Sequence, residues 1–151
     1  MQFLMHTDKS VAQAMKGINE RLHAPGTKSR PQLDGWVEKN GKFAMAVTTQ
    51  VYGRFPRKTY LRGKAERDSG TTVIRGNVPG GLPRNRQIVV FVMLAVVALI
   101  LFSQGNAILA IVAILSTAAL SIPFQGDFNN SEILLTELQR ALQAQFTAPK
   151  K

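Results

Sequence analysis

Histidines and carboxylates are the residues of this chain that could carry acid–base chemistry or bind a metal ion. The 151 residues include two histidines, His6 and His23, and nine Asp and Glu. Neither histidine stands at metal-ligand spacing from the other or from a carboxylate pair, and His23 falls where a predicted helix ends, which favours a contact with the helix dipole. Cysteine is absent, which excludes disulfides and thiolate chemistry. We therefore expect no catalytic residue, no metal site and no cofactor.

Four carboxylates of the predicted β domain fall near turns or strand ends. General acid–base catalysis needs partners held in a cleft with shifted pKa values, and the sequence pairs none of the four with a histidine. The glycines match no phosphate-binding loop. A small membrane enzyme would need a cleft that joins His6 or His23 to one of these acids, and it is kept as an alternative. The four are Asp34, Glu38, Glu66 and Asp68.

Basic residues with aromatic neighbours are the strongest functional signal. The net charge is +10, and all of it arises in residues 1–86. A basic surface can bind anionic lipid, an acidic protein or, with aromatic side chains between the charges, nucleic acid. We expect contact with inner-leaflet lipid or an acidic partner, and nucleic acid is the least expected because the domain adjoins a membrane segment. The predicted basic face is Arg54, Arg57, Lys58, Arg62, Lys64, Arg67, Arg75, Arg84 and Arg86.

An uncharged block interrupts this charged sequence. Residues 87–124 contain no Asp, Glu, Lys or Arg, the stretch 88–102 is wholly apolar, and the later arm has only three hydroxyl residues. At about 1.5 Å per helical residue each arm is about 23–27 Å long, close to the ~30 Å hydrocarbon core of a bilayer. We predict a transmembrane hairpin with spans 88–103 and 107–124, joined by the polar turn Ser103–Asn106.

The alternative for this block is a buried hairpin of a soluble protein. Both arms are apolar on every side, so a soluble fold would need a large apolar shell around them. The rest of the chain is too basic and polar to supply it. Lipid fits without that shell, since a helix satisfies its own backbone hydrogen bonds. The lack of ionisable residues in both spans argues against a pump or transporter.

Basic residues near the predicted spans set the expected orientation. Arg84 and Arg86 precede the first span, the connecting turn has no basic residue, and Arg140, Lys150 and Lys151 follow the second span. Cytoplasmic segments carry the excess of Lys and Arg. We expect an inner (plasma) membrane protein with two spans and both termini in the cytoplasm.

Small residues in the second predicted span indicate a helix-packing surface. Ala107, Ala110 and Ala113 recur at every third position. Small side chains let two helices approach closely. Alanine is also common as plain apolar filler, and that alternative stays open.

Residues 1–83 show the patterns of a small basic α+β domain in the cytoplasm. Apolar residues at helical spacing predict a helix over 8–23 with Thr7 as its N-cap. The period then changes to two, and Asn40-Gly41 predicts a type I′ hairpin. We expect an antiparallel meander of about four strands with one apolar and one basic face. The predicted ranges are 33–38, 42–52, 58–66 and 71–78.

A leucine-rich segment follows the uncharged block. Asn129, Asn130 and Ser131 are residue types that cap helices, and the leucines beyond them recur along one side of a helix. We predict an amphipathic C-terminal helix over 129–147. It would pack on the apolar face of the sheet, lie on the inner leaflet or dock on a partner, and packing on the sheet is favoured.

The order of these segments resembles small uncharacterised bacterial membrane proteins in which a β domain feeds directly into two spans. The likeness is carried by the G-W-x-E phrase at Gly35–Glu38 and by the G-T-T-x-I-x-G-x-V phrase at Gly70–Val78. It implies a cytoplasmic α+β domain, a two-helix membrane hairpin and a leucine-rich last helix. It implies no catalytic or binding residue.

These patterns together predict a non-catalytic integral membrane protein. We expect an accessory or scaffolding subunit of a larger membrane complex, whose hairpin packs against other membrane helices and whose basic domain contacts lipid or an acidic partner. The alternative is a membrane-anchored module that holds a lipid-like or anionic small molecule between the sheet and the C-terminal helix.

Overall fold

The structure, a computed structural model, describes residues 1–27, 29–143 and 145–147, the last three by backbone alone. Lys150, Lys151 and residue 144 of the predicted last helix lie outside the described residues. The α+β part of the expected fold class is confirmed: the chain has an antiparallel sheet and, in the described part, three helices. Two of these helices are long and apolar enough to cross a membrane.

The sheet has six strands among the described residues, in the order β2-β3-β4-β5-β1-β6, and every neighbouring pair is antiparallel. The prediction of about four strands missed β1, which pairs with β5 and directs Phe3, Met5 and Thr7 toward the core. The partner strand β5 lies about 70 residues later in the chain. No local sequence pattern therefore indicates this pairing. The strands are β1 Gln2–Thr7, β2 Leu33–Val37, β3 Lys42–Val51, β4 Phe55–Asp68, β5 Thr71–Asn77 and β6 Gln145–Thr147.

Several predicted ends are wrong by a few residues. β4 is longer than the predicted 58–66 because its whole length pairs with β3 or β5. Each of the other three predicted strands ends in the structure one residue before its predicted end. The first helix, α1, spans Val11–His23 and not 8–23. Its N-cap is Ser10, which forms a reciprocal capping box with Gln13. Thr7 therefore ends β1 instead of capping the helix.

The turn between β2 and β3 also differs from the prediction. Val37 pairs with Phe43, which leaves a connection longer than the two residues of a type I′ hairpin. Gly41 takes the left-handed conformation (φ 82°), while Asn40 does not. In the uncharged block, Gly105 alone of the turn residues has a positive φ (80°).

Two long helices follow the sheet: α2 spans Arg84–Ser103 and α3 spans Ala107–Leu142. The predicted separate helix over 129–147 is wrong, because α3 continues for 36 residues, about 54 Å at the usual rise, without a break. Asn130 and Ser131 cap nothing. The amide of Asn130 donates to Arg57 O and Thr59 Oγ1, and the Ser131 hydroxyl bonds within the helix.

The core lies between one sheet face and a layer formed by α1 and the last third of α3. Gly63 and Gly76 are cross-strand partners, and a Cβ on either would collide with a phenylalanine ring; the two glycines thus make room for Phe43 and Phe3. A buried ion pair, Arg21 Nε to Glu137 Oε2 at 2.6 Å, joins α1 to α3. The largest fully buried side chains are Phe43, Met5, Ile18, Leu33, Met45, Leu61, Ile74, Leu134, Leu138, Leu142, Val47 and Val78.

Candidate functional site

The structure divides the nine basic residues predicted as one face among four surroundings. Strand alternation puts Lys58, Arg62 and Lys64 of β4 on the sheet face without helices, here called the open face, together with Arg75 of β5. Arg57 points to the other side, where it pairs with α3. Arg67 lies exposed at the far end of β4. The remaining three are exposed. Arg54 lies in the β3–β4 turn, and Arg84 and Arg86 lie in the first turn of α2.

A row of like charges crosses the open face. Lys64 stands directly opposite Lys42 on β3 and Arg75 on β5; these three residues are the cation row. Like charges in directly opposed positions destabilise a sheet. Lys64 gains some relief from Glu66 at 2.6 Å, and the hydrogen bond from its ammonium lowers the pKa of the Glu66 carboxyl.

A shallow groove of about 750 Å³ lies over this row. The residues that line it include no carboxylate. Its polar residues are the cation row, Arg62, Gln2 and Asn77, and the other lining residues are Phe3, Leu4, Gly63 and Gly76. Trp36 and Tyr60 are exposed on the same face. Guanidinium, ammonium and amide donors that converge on an open surface suit carboxylates or phosphates of a large partner.

One pair on the open face shows how its charges are balanced. Lys58 Nζ lies 2.7 Å from Asp34 Oδ2 and 5.5 Å from the centre of the Tyr60 ring. The hydrogen bond to Asp34 raises the pKa of Lys58. Both side chains are exposed, so solvent screens this pair and its contribution to stability is small.

A second surface lies where the sheet domain meets the two apolar helices. This junction surface consists of Tyr52, Arg54, Phe55, Arg84 and Arg86, all exposed. Tyr52 is a central residue of the β3–β4 turn, with φ of 51°, and the turn is closed by the Arg54 N–H, which donates to Val51 O at 3.2 Å. A bulky residue is uncommon in this conformation.

A buried polar cluster attaches α3 to the sheet beside the junction surface. The Arg57 guanidinium donates to both Asp127 oxygens, Nε to Oδ1 at 2.9 Å and Nη2 to Oδ2 at 2.7 Å. The Thr59 hydroxyl donates to Asp127 Oδ1 at 2.7 Å. The hydrogen bonds from Arg57 to Asp127 raise the pKa of Arg57. Asp127 follows the apolar part of α3 almost at once, so the cluster fixes the domain to the end of the hairpin.

The three alanines predicted to pack the helices lie in different surroundings. Ala110 is buried, as is Ala98 of α2. Ala113 is half-buried and Ala107 is exposed. Only Ala110 of the three is therefore fully buried by the described chain.

The histidines and acids do not converge. His6 and Glu66 lie on the same open face. Val73 of β5 lies between them, paired with His6 of β1 on one side and with Glu66 of β4 on the other. At the usual strand spacing His6 and Glu66 are about 10 Å apart. His23 Nδ1 lies 2.9 Å from Asn19 O. Glu38 accepts from Asn40 at 2.8 Å, and Asp68 lies 3.9 Å from Arg75. Among the described residues, no group of three His, Asp or Glu could hold a metal ion.

The space between the sheet and α3, where a ligand pocket was the alternative, is filled by side chains. Leu134, Leu138 and Leu142 have no exposed surface there. A pocket for a small molecule would need these leucines to move apart.

Sequence reasoning missed two members of the open face, Lys42 and Trp36. Each lies on a strand distant in sequence from the Arg-rich stretch, and only the register of β2, β3 and β4 brings them together. The period-two pattern of β3, in which Lys42 alternates with the buried Phe43, carried a signal for the first of them. Comparisons with protein-family models, with curated proteins and with solved structures give no match to this chain.

Proposed function

We propose that this chain is a non-catalytic integral membrane protein, an accessory or scaffolding subunit of a larger membrane complex. α2 and the first half of α3 would cross the inner membrane, with both termini in the cytoplasm. The observation that carries the proposal is that the rest of the chain leaves the apolar side chains of these two helices exposed. Only 11% of the most apolar window of α2 and 6% of that of α3 are buried within the chain.

This exposure argues against a hairpin buried in a soluble fold. The core hairpin of a soluble protein is covered by its own chain, whereas here sixteen large apolar side chains of the two helices are exposed, from Ile88 to Leu120. An apolar surface of this size is stable only in lipid or against other apolar helices. A subunit of a membrane complex would have both lipid and other apolar helices around it.

The continuity of α3 supports a scaffolding role over a loosely tethered domain. No linker separates the apolar half of the helix from the half that packs on the sheet. The Arg57–Asp127 pair holds the helix where it reaches the sheet, and the Arg21–Glu137 pair holds it further on. The domain would thus keep a fixed position relative to the membrane, as a subunit that presents a docking surface must.

The two cationic surfaces would meet different partners. α3 contacts Arg57 at Asp127 and reaches Thr7 at Leu142, about 22 Å further along the helix. β4 runs in the same direction as α3. Along this strand, Lys64 lies about 23 Å from Arg57. Screening limits charge effects to about 10 Å at 0.1 M salt, so lipid would attract the junction surface and an acidic protein would bind the open face.

Cysteine labelling tests the topology, because the chain contains no cysteine of its own. Gln104→Cys lies in the turn between the two apolar helices and Lys39→Cys lies in the exposed β2–β3 turn. In intact cells a membrane-impermeant maleimide should label Gln104→Cys at once and Lys39→Cys only after permeabilisation. Equal labelling of both in intact cells, or release of the protein by alkaline extraction, would contradict the proposal.

Charge reversal tests the docking surface. The full chain is extracted in mild detergent and sized under native conditions, where we expect a complex larger than the monomer. Arg62→Glu with Lys64→Glu should dissolve that complex, because an acidic partner would then meet like charge. Lys16→Glu with Lys39→Glu makes the same charge change on exposed residues outside the open face and should leave the complex intact. A lone monomer for the unmodified chain would refute the subunit proposal.

A further inference from the structure

A cleft of about 400 Å³ opens between the β3–β4 turn and the two long helices. Its walls come from three parts of the chain: the turn, the first two turns of α2, and the part of α3 that follows Phe124. Among the residues that line it no carboxylate occurs, so the cleft carries the positive charge of its single arginine. The lining residues are Tyr52, Arg84, Gln87, Ile88, Phe91, Gln125, Phe128 and Asn129.

The chemistry of the walls is divided along the direction of the hairpin. Ile88 and Phe91 open the uncharged part of α2, while Gln125 and Asn129 come directly after the uncharged part of α3. Ile88 and Phe91 therefore lie on the hairpin side, and the amides of Gln125 and Asn129 lie on the domain side. Arg84 lies at the start of α2. A phospholipid has the same order of groups: acyl chains, then ester and glycerol oxygens, then a phosphate.

We propose that this cleft is a binding site for one anionic phospholipid of the inner leaflet, with the phosphate at Arg84 and the upper acyl chain against Ile88 and Phe91. The inference rests on the proposed membrane insertion and adds a defined lipid site to it. Arg84 makes no ion pair with the residues that the structure describes, so its charge is available to a phosphate. Gln87 is held in place, since its side-chain amide donates to Leu82 O at 2.6 Å.

Tyr52 supplies a second argument for a ligand at this level. The left-handed turn position it occupies (φ 51°) favours Asn, Asp or Gly, so turn geometry alone does not account for an aromatic residue. Tyrosine is enriched where the hydrocarbon of a bilayer meets the headgroups. Its ring on one wall and Phe128 on another would enclose the glycerol region of the lipid.

Native mass spectrometry of the full chain, released from nanodiscs of equal parts phosphatidylglycerol and phosphatidylcholine, tests the site. We expect the unmodified chain to retain one phosphatidylglycerol in preference to phosphatidylcholine. Arg84→Gln should lower that retention about fivefold, the scale of one cation at an anionic surface. Arg67→Gln is the matched control, because Arg67 is an exposed arginine at the far end of β4, outside both the junction surface and the cleft; it should leave retention unchanged.

Tyr52→Asn provides a variant that should not unfold, since asparagine suits the turn better than tyrosine. It should lower lipid retention while the unfolding transition stays the same or rises. An arm with glycerol 3-phosphate, which has the charged group but no acyl chains, separates a lipid site from a soluble-anion site. Glycerol 3-phosphate should fail to displace the lipid, and displacement at the same concentration would overturn the inference.

Three other outcomes would also overturn it: equal losses in Arg84→Gln and Arg67→Gln, no loss in either, or no retained lipid on the unmodified chain. Labelling of Gln104→Cys in intact cells distinguishes these failures from failure of the proposed function. If the hairpin turn is labelled from outside the cell but no lipid is retained, membrane insertion stands and the cleft is not a lipid site. If the chain does not insert, both proposals fall.

Discussion

The two halves of α3 have similar side chains in opposite surroundings. In the first half Leu109 and Leu115 are 54% and 64% exposed, whereas Leu134 and Leu138 in the second half are 0% exposed. One unbroken helix carries both sets. Leucine content alone therefore does not decide what a segment packs against. The sheet covers the second half, and the described chain leaves most of the first half uncovered.

Charge follows the same division. The second half of α3 carries Asp127 and Glu137, each held by an arginine from another element; the first half carries no charge at all. Buried charges are tolerated only when they are paired. The second half of the helix is thus fixed by specific partners, while no ion pair among the described residues ties the first half to another element.

Glu137→Gln should have the largest effect on the second half. Glu137 accepts from Arg21 at 2.6 Å and from Arg140 at 2.8 Å, and its side chain is 3% exposed. The variant leaves Arg21 buried without a counter-charge, which costs about 3–5 kcal/mol for a buried pair. Urea unfolding of the full chain in nanodiscs, followed by the fluorescence of Trp36, the single tryptophan, measures the loss.

Glu132→Gln is the control for that prediction, since Glu132 is exposed on the same helix and makes no ion pair among the described residues. Its transition should coincide with that of the unmodified chain. Equal effects of the two substitutions would mean that burial by the sheet does not distinguish these positions.

Leucine truncation tests the comparison directly. Leu138→Ala opens a cavity in the core and should cost about 2–5 kcal/mol. Leu115→Ala removes the same atoms from the exposed half, where lipid can fill the space, and should leave the Trp36 transition unchanged. A large loss of domain stability in Leu115→Ala would show that the first half of α3 also packs within the domain.

The same comparison explains which parts of the fold the sequence revealed. The hairpin, α1 and four of the strands have local patterns, such as uncharged runs or period-two alternation, and were predicted with ends wrong by a few residues. The continuity of α3 was not, because Asn129–Ser131 resembles a helix cap. The side-chain amide of Asn130 instead donates hydrogen bonds to Arg57 and Thr59, which are more than 70 residues away in the sequence.

The candidate sites were only partly predictable for a related reason. The basic residues are visible in the sequence, but their division between the open face and the junction surface depends on strand register. Lys42 joins Lys64 only through the β3–β4 pairing, and Asp127 meets Arg57 only because α3 crosses the start of β4. Pairings over such separations leave no periodic trace in one sequence.

The junction should show an intermediate effect. Asp127→Asn breaks a two-point pair with Arg57, whose side chain is 39% exposed. Hydrogen bonds to charged groups contribute about 1.5–3 kcal/mol, and partial exposure of Arg57 favours the lower end. Asp34→Asn, which removes the exposed Lys58 pair, should cause no measurable change. Hydrogen exchange should rise at the start of β4 in Asp127→Asn alone, and unchanged exchange there would mean that the pair does not fix the helix to the sheet.

The smallest effect should come from the open face, away from α3. The hydrogen bond from Lys64 lowers the pKa of Glu66 below its ordinary value of 4.5, so the ionised form is favoured by folding. The contribution to stability is therefore complete above about pH 5 and is lost as the pH falls through the lowered pKa. Because solvent surrounds both side chains, the loss should be slight, and NMR titration of the Glu66 carboxyl measures it better than unfolding. Lys64→Gln should return that pKa toward its ordinary value. A Glu66 pKa that does not respond to Lys64 would mean that the cation row repels itself without relief from Glu66, which would leave all of its charge to an acidic partner.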